Sequence, residues 1–88
     1  MEELRQVVRY YEQEAALGKR FGEAVRNAAQ RISENPNRFS FLSHNCRRCP
    51  LERFPHHVVY QAKGSVITIY AVAHPKRRPG YWADRLEP

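Results

Sequence analysis

The segment Asn35-Pro36-Asn37 splits this chain into two patterns, and that split constrains the fold more than any other feature. Before it, apolar residues recur at helical spacing. Leu4, Val7, Val8, Tyr11 and Ala15 form one stripe over residues 2–16, and Phe21, Val25, Ala28 and Ile32 form another over 19–34. Gly18 lies between them and reads as the stop of the first helix, because glycine adopts the left-handed conformation found at helix ends. Pro36 ends the second helix, since a residue before proline is biased away from helix. Two amphipathic helices with so short a link fold back as an antiparallel hairpin.

After Pro36, aromatic and β-branched residues take over. Phe39-Ser40-Phe41-Leu42 reads as a short strand or an extended loop. Residues 47–53 read as a strand that Pro50 pushes to a sheet edge. Val58-Val59-Tyr60-Gln61-Ala62 and residues 65–73 are clearer strands, with Lys63-Gly64 as a two-residue hairpin turn between them. Residues 79–86 read as a terminal helical turn. The expected fold is α+β: an N-terminal antiparallel helical hairpin on one face of a small antiparallel sheet, its strands within about 39–73, and a short C-terminal basic and aromatic tail. The other face is expected to carry Tyr60, Tyr70 or their neighbours, the basic tail and a partner. At 88 residues, one domain spanning 1–88 with one small core is the natural reading.

Charge separates the halves. Residues 1–43 carry 7 basic and 6 acidic side chains, and residues 44–88 carry 8 and 3, so most of the net +6 lies in the C-terminal half. Such asymmetry points to an anionic partner. No segment approaches the ~20 apolar residues of a membrane helix. The opening Met1-Glu2-Glu3 is acidic where a signal peptide would be basic, so a cytoplasmic location is expected. Cys46 and Cys49 fit that compartment as free thiols. As a CxxC with His44 nearby they lack the second cysteine pair of a structural zinc site, so no metal and no cofactor are expected. Two small buried thiols is the plain reading.

Several short segments in order resemble one family. They are Tyr10-Tyr11-Glu12, Gly18-Lys19-Arg20-Phe21, Ile32-Ser33-Glu34-Asn35-Pro36, Arg53-Phe54-Pro55 ahead of Val58-Val59-Tyr60, and Ile69-Tyr70-Ala71-Val72-Ala73-His74 followed by Arg78-Pro79 and Tyr81-Trp82. Together they resemble the RelE/ParE superfamily of toxins from bacterial type II toxin–antitoxin modules. The resemblance implies a compact toxin neutralised by a cognate antitoxin whose C-terminal segment wraps it. The family begins with a β-strand before the first helix, whereas here Met1 falls almost on the helix. A strand from an antitoxin or from a second copy is the expectation for that position, giving a strand-sharing assembly or a homodimer.

The resemblance leaves two modes of action. One branch cuts mRNA on the ribosome, a reaction that needs a base for a 2′-hydroxyl, cations for the phosphate and an acid for the leaving oxygen. On that reading His57, Tyr81 and Arg78 are the catalytic candidates. The match to that branch is partial: His57 stands where the nuclease has an arginine, the preceding lysines fall near Arg48 and Pro50, and a tail arginine falls on Pro75. The other branch poisons DNA gyrase by binding and needs a shaped surface, and the Phe-Pro…Tyr strand and the tail look more like this branch. A non-toxic binding relative is a third reading. The target- or antitoxin-binding candidates are Arg48, Arg53, His74, Lys76, Arg77, Arg78, Tyr81, Trp82 and Arg85. Trp82 also reads as a plug that closes the core, and of the adjacent His56 and His57 one is expected to face solvent and the other to pack.

Overall fold

The computed structural model describes residues 17–86. The helix expected over 2–16, and with it the hairpin, lies outside the described residues. What is described is an α+β arrangement: helix α1 (Leu17–Glu34), strands β1 (Arg47–Pro50), β2 (His57–Lys63) and β3 (Val66–Ala73), and a 3-10 helix over Tyr81–Arg85. The strands form one antiparallel sheet in the order β1-β2-β3.

α1 follows its apolar stripe. Phe21, Val25, Ala28 and Ile32 are all buried, with Ala24 beside them. Burying a side chain the size of Phe21 contributes roughly 1.5–3 kcal/mol. Gly18 is the second residue of α1 and is buried, so it is helical and not left-handed; the end of the helix expected over 2–16 lies outside the described residues. The helix ends before Pro36, as the sequence implies. Its last turn is tied to the sheet by Arg31, whose guanidinium donates to the Pro50 carbonyl at 2.8 Å.

β1 is shorter than the 47–53 reading and occupies the edge that Pro50 dictates. The extended residues before it make one bridge, Phe41 to Arg47. The β2–β3 turn is Gly64-Ser65, one residue later than Lys63-Gly64, because Lys63 stays in the ladder opposite Val66. Gly64 supplies the left-handed φ of 58° that this reversal requires.

The sheet has two differently covered faces. α1 packs on the first, where Cys49, Val58, Tyr60 and Val72 join Phe21, Val25 and Ile32. The second carries Cys46, Val59, Ala71 and Ala73, closed by Trp82 from the tail. A bulge sets which tyrosine goes where. Val59 pairs with Ala71 and Tyr60 with Ile69, so Tyr70 is the extra residue. Tyr60 therefore faces the helix, fully buried, and its hydroxyl donates to the Pro36 carbonyl at 2.7 Å. Of the residues the sequence offers for the open face, Tyr60 is therefore not one. Tyr70 does lie on the tail side, where its hydroxyl donates to Gln61 Oε1 at 3.3 Å.

Candidate functional site

Two successive turns carry the chain off β3. In His74-Pro75-Lys76-Arg77, the Arg77 amide donates to the His74 carbonyl at 3.0 Å, and the Lys76 amide donates to His74 Nδ1 at 3.0 Å. In Arg78-Pro79-Gly80-Tyr81, the Tyr81 amide donates to the Arg78 carbonyl at 3.1 Å, and Gly80 sits at φ 74°, ψ 11°. Proline at the second position and left-handed glycine at the third define a type II turn. The 3-10 helix then starts, and Trp82 drops onto the second face with 3% exposure.

Between these turns and the ends of β1 and β2 lies a pocket of about 260 Å³. Arg48 and His57 reach it from the sheet, and His74, Arg77, Arg78 and Tyr81 from the tail. Leu42, Ala73, Pro75, Pro79 and Trp82 supply its apolar lining. Among the described residues, no carboxylate lines it. Seven of the residues singled out from sequence thus meet here: Arg48, His57, His74, Arg77, Arg78, Tyr81 and Trp82.

Three others sit elsewhere. Arg53 lines a separate groove with Arg20 and Glu23 of α1, and its φ of 68° marks a tight bend in the 51–56 loop. Arg85 donates to the Tyr70 carbonyl at 3.2 Å and lies 5.3 Å from the Tyr81 ring centroid, so it braces the tail. Lys76 contributes its backbone amide to the first turn.

Electrostatics differ along the wall. Burial, reinforced by the charge of Arg48, holds the His57 imidazole below its ordinary pKa and so favours the uncharged ring. Burial pushes the Tyr81 phenol up, against the opposing pull of Arg77, whose guanidinium lies 3.9 Å from the ring centroid. Behind the pocket, His56 is 5% exposed and lies edge-on to both His74 (4.8 Å) and Phe21 (4.9 Å). Burial, then His74 and His57, lower its pKa to about 4.

Sequence reasoning missed the rim. Ser43, His44, Asn45 and Cys46 make a tight turn with His44 and Asn45 both left-handed, at φ 55° and 60°. His44 packs edge-on to Trp82 at 5.8 Å, and its carbonyl accepts from Gln61 Nε2 at 3.0 Å. The signal was present, because His and Asn are enriched among left-handed residues and two in a row favour a reversal of this type. Gln61, two positions from Val59, was the polar residue marking the same face. The two cysteines are free and buried in different clusters, Cys46 under the tail and Cys49 under α1. Desolvation raises the pKa of both thiols, which makes them poor nucleophiles.

No helix among the described residues is long and apolar enough to cross a membrane. No curated protein and no solved structure matches the chain. The family model described as the ParE toxin of the type II toxin–antitoxin system parDE, however, matches residues 1–79, nearly the whole sequence. The match agrees with the α+β order of elements and the basic tail: the chain belongs to the ParE family of type II toxins, for which an antitoxin is the implied partner.

Proposed function

We propose that this toxin arrests growth by holding a target, DNA gyrase, in the cytoplasm, and that a cognate antitoxin neutralises it by covering the tail side of the sheet. The family match carries this reading, because the resemblance links the ParE branch to gyrase. The pocket supports it: three arginines converge with no carboxylate among the lining residues, over an apolar floor. That combination suits binding of an acidic surface and asks for no general acid–base pair. The test is a supercoiling assay with purified gyrase and excess protein. Blocked supercoiling or trapped, cleaved DNA is expected, and unaffected gyrase overturns the target assignment.

One observation favours a second reading, cleavage of mRNA on the ribosome. His57 shares the pocket with Arg78 and Tyr81, and burial favours its uncharged ring. There His57 would draw the 2′-hydroxyl proton, Arg78 would balance the phosphate charge, and Tyr81 would serve the leaving oxygen or stack on a base. In a translation extract, His57→Ala would then slow cleavage without unfolding the protein. Intact mRNA in the presence of the unmutated chain removes this reading.

A further inference from the structure

The segment between α1 and β1 carries a second basic surface, on the opposite side of the sheet from the tail pocket. Phe41 bridges to Arg47, and Arg47 pairs with Tyr60, so Phe39, Phe41 and Arg47 share the helix face, at its rim. Phe39 packs on the core and lies edge-on to Tyr60 at 6.4 Å, whereas Phe41 is 60% exposed. Arginines flank both rings. The guanidinium carbon of Arg47 lies 3.9 Å from the Phe41 centroid, and those of Arg38 and Arg31 lie 5.6 Å and 6.0 Å from the Phe39 centroid. The group is fixed in place. Arg47 donates to the Phe39 carbonyl at 2.7 Å, Arg31 to the Pro50 carbonyl at 2.8 Å, and the Arg48 amide to the Ser40 carbonyl at 2.9 Å. A surface ordered in advance loses little on binding. Its charge is one-sided, because residues 31–48 hold four arginines and one carboxylate, Glu34. The run from Asn37 to Asn45 adds amides and hydroxyls and no acid.

Shape narrows the partner. Phe41 lines neither the tail pocket nor the groove beside α1. It offers a flat ring backed by a guanidinium instead of a cavity for a protruding side chain. A flat ring suits another flat ring, and every nucleobase has one. The arginines suit the phosphates that a stacked base brings with it. An apolar segment would leave these cations without counter-charges, and a duplex hides the faces of its bases. We infer that Phe41, Arg47 and Arg38 form a contact surface for single-stranded nucleic acid. One base stacks on the exposed Phe41 ring, Arg47 holds the adjoining phosphate with its remaining N–H groups, and Arg38 holds a phosphate further along the strand. Phe39 and Arg31 support them from the core and from Pro50. The surface makes no use of His57, Arg78 or Tyr81, so it is independent of the cleavage chemistry considered for the pocket.

The experiment measures fluorescence anisotropy of fluorescein-labelled thymidine DNA, about 12 nucleotides long, titrated with the full chain. Uridine RNA of equal length forms a second arm; binding of either strand supports the inference, and the tighter of the two identifies the source. Saturable binding that weakens as salt rises is expected. Phe41→Ala should weaken it about tenfold. Phe41→Leu, which keeps apolar bulk without a flat face, should be as weak, and Phe41→Trp should restore the parental affinity. Arg38→Ala should weaken binding and lower the salt slope by about 0.7. Arg20→Ala, at the other end of α1, should leave affinity within about twofold. Phe41 and Arg38 are exposed, so thermal melts of their variants should match the parent. No binding at low salt, full affinity in Phe41→Leu, or equal loss with Arg20→Ala overturns the inference. So does equal affinity for the thymidine strand paired with its complement, or tighter binding of an acidic peptide of the same length. The assay contains neither gyrase nor antitoxin. Strand binding with unaffected gyrase therefore sinks the target assignment alone, and inhibited gyrase with no strand binding sinks this inference alone.

Discussion

The two faces of the sheet are built on different principles. The helix face is closed by apolar packing: Phe21, Val25, Ile32, Val58 and Tyr60 fill it, and the Tyr60 hydroxyl has a carbonyl partner. The tail face is closed only in part. Trp82 covers Val59, Ala71 and Cys46, while at the β2 and β3 ends the tail stands away and leaves a cationic pocket. The first arrangement supplies stability, and the second is the surface proposed above for binding a target and an antitoxin. Substitutions should therefore divide into those that move the melting temperature and those that move affinity.

The largest effect is expected on the helix face. Phe21 is fully buried and makes edge-on contacts with Phe54 at 5.0 Å and His56 at 4.9 Å. Phe21→Ala should destabilise the fold by about 3–5 kcal/mol, read by urea unfolding. Affinity for the cognate antitoxin, corrected for the unfolded fraction, should not change. A selective loss of affinity would show that the faces are coupled through this ring.

His56 is where such coupling would run, because it touches Phe21 on one side and His74 of the tail on the other. Its folded pKa of about 4 lies below the unfolded value of 6.5, so the unfolded chain binds more protons between those limits. Stability contributed by neutral His56 is full above about pH 6.5 and is lost as pH falls toward 4, up to on the order of 3 kcal/mol. His57, also depressed, acts with the same sign. His56→Leu should flatten the unfolding free energy between pH 7 and 4 without abolishing its slope. An unchanged slope would remove His56 from the account.

A smaller effect tests how closed the helix face is. Tyr60→Phe removes the hydroxyl that donates to Pro36 and leaves the ring in place. A loss of about 1 kcal/mol is expected from chemical denaturation. A neutral result would mean that water replaces the bond and that this end of the face is wetter than its packing suggests.

Legibility in the sequence followed the same division. The buried face of α1 was plain because one period places Phe21, Val25, Ala28 and Ile32 together, and Pro36 punctuates it. The edge position of β1 was plain because Pro50 lacks a donor. Arg78-Pro79-Gly80-Tyr81 is a turn with its own chemistry, so the tail could be placed near the strand ends. The faces of Tyr60 and Tyr70 were not legible, because a single extra residue reverses which side is buried, and nothing local in Ile69-Tyr70-Ala71 announces a bulge. The pocket was half legible. Its cations stand out as types, but Leu42 joins them only because the His44-Asn45 turn folds that segment against the tail.

The smallest effect on stability belongs to Arg48, which is exposed in β1 opposite Val59. Arg48→Ala should change unfolding free energy by no more than about 0.5 kcal/mol. It should still register at one neighbour. The Arg48 charge is one of the two causes that hold the His57 imidazole low, the larger being burial. Removing the arginine should therefore raise the His57 pKa part of the way toward its ordinary value, followed by NMR titration of the ring protons. Because burial remains, the shift should be incomplete. His57 would then begin to carry positive charge at a higher pH and partly replace the missing guanidinium, so any affinity deficit of Arg48→Ala for the cognate antitoxin should narrow as pH falls. A deficit that stays constant while His57 titrates would place the two groups on independent parts of the surface and break the description of this face as one cationic site.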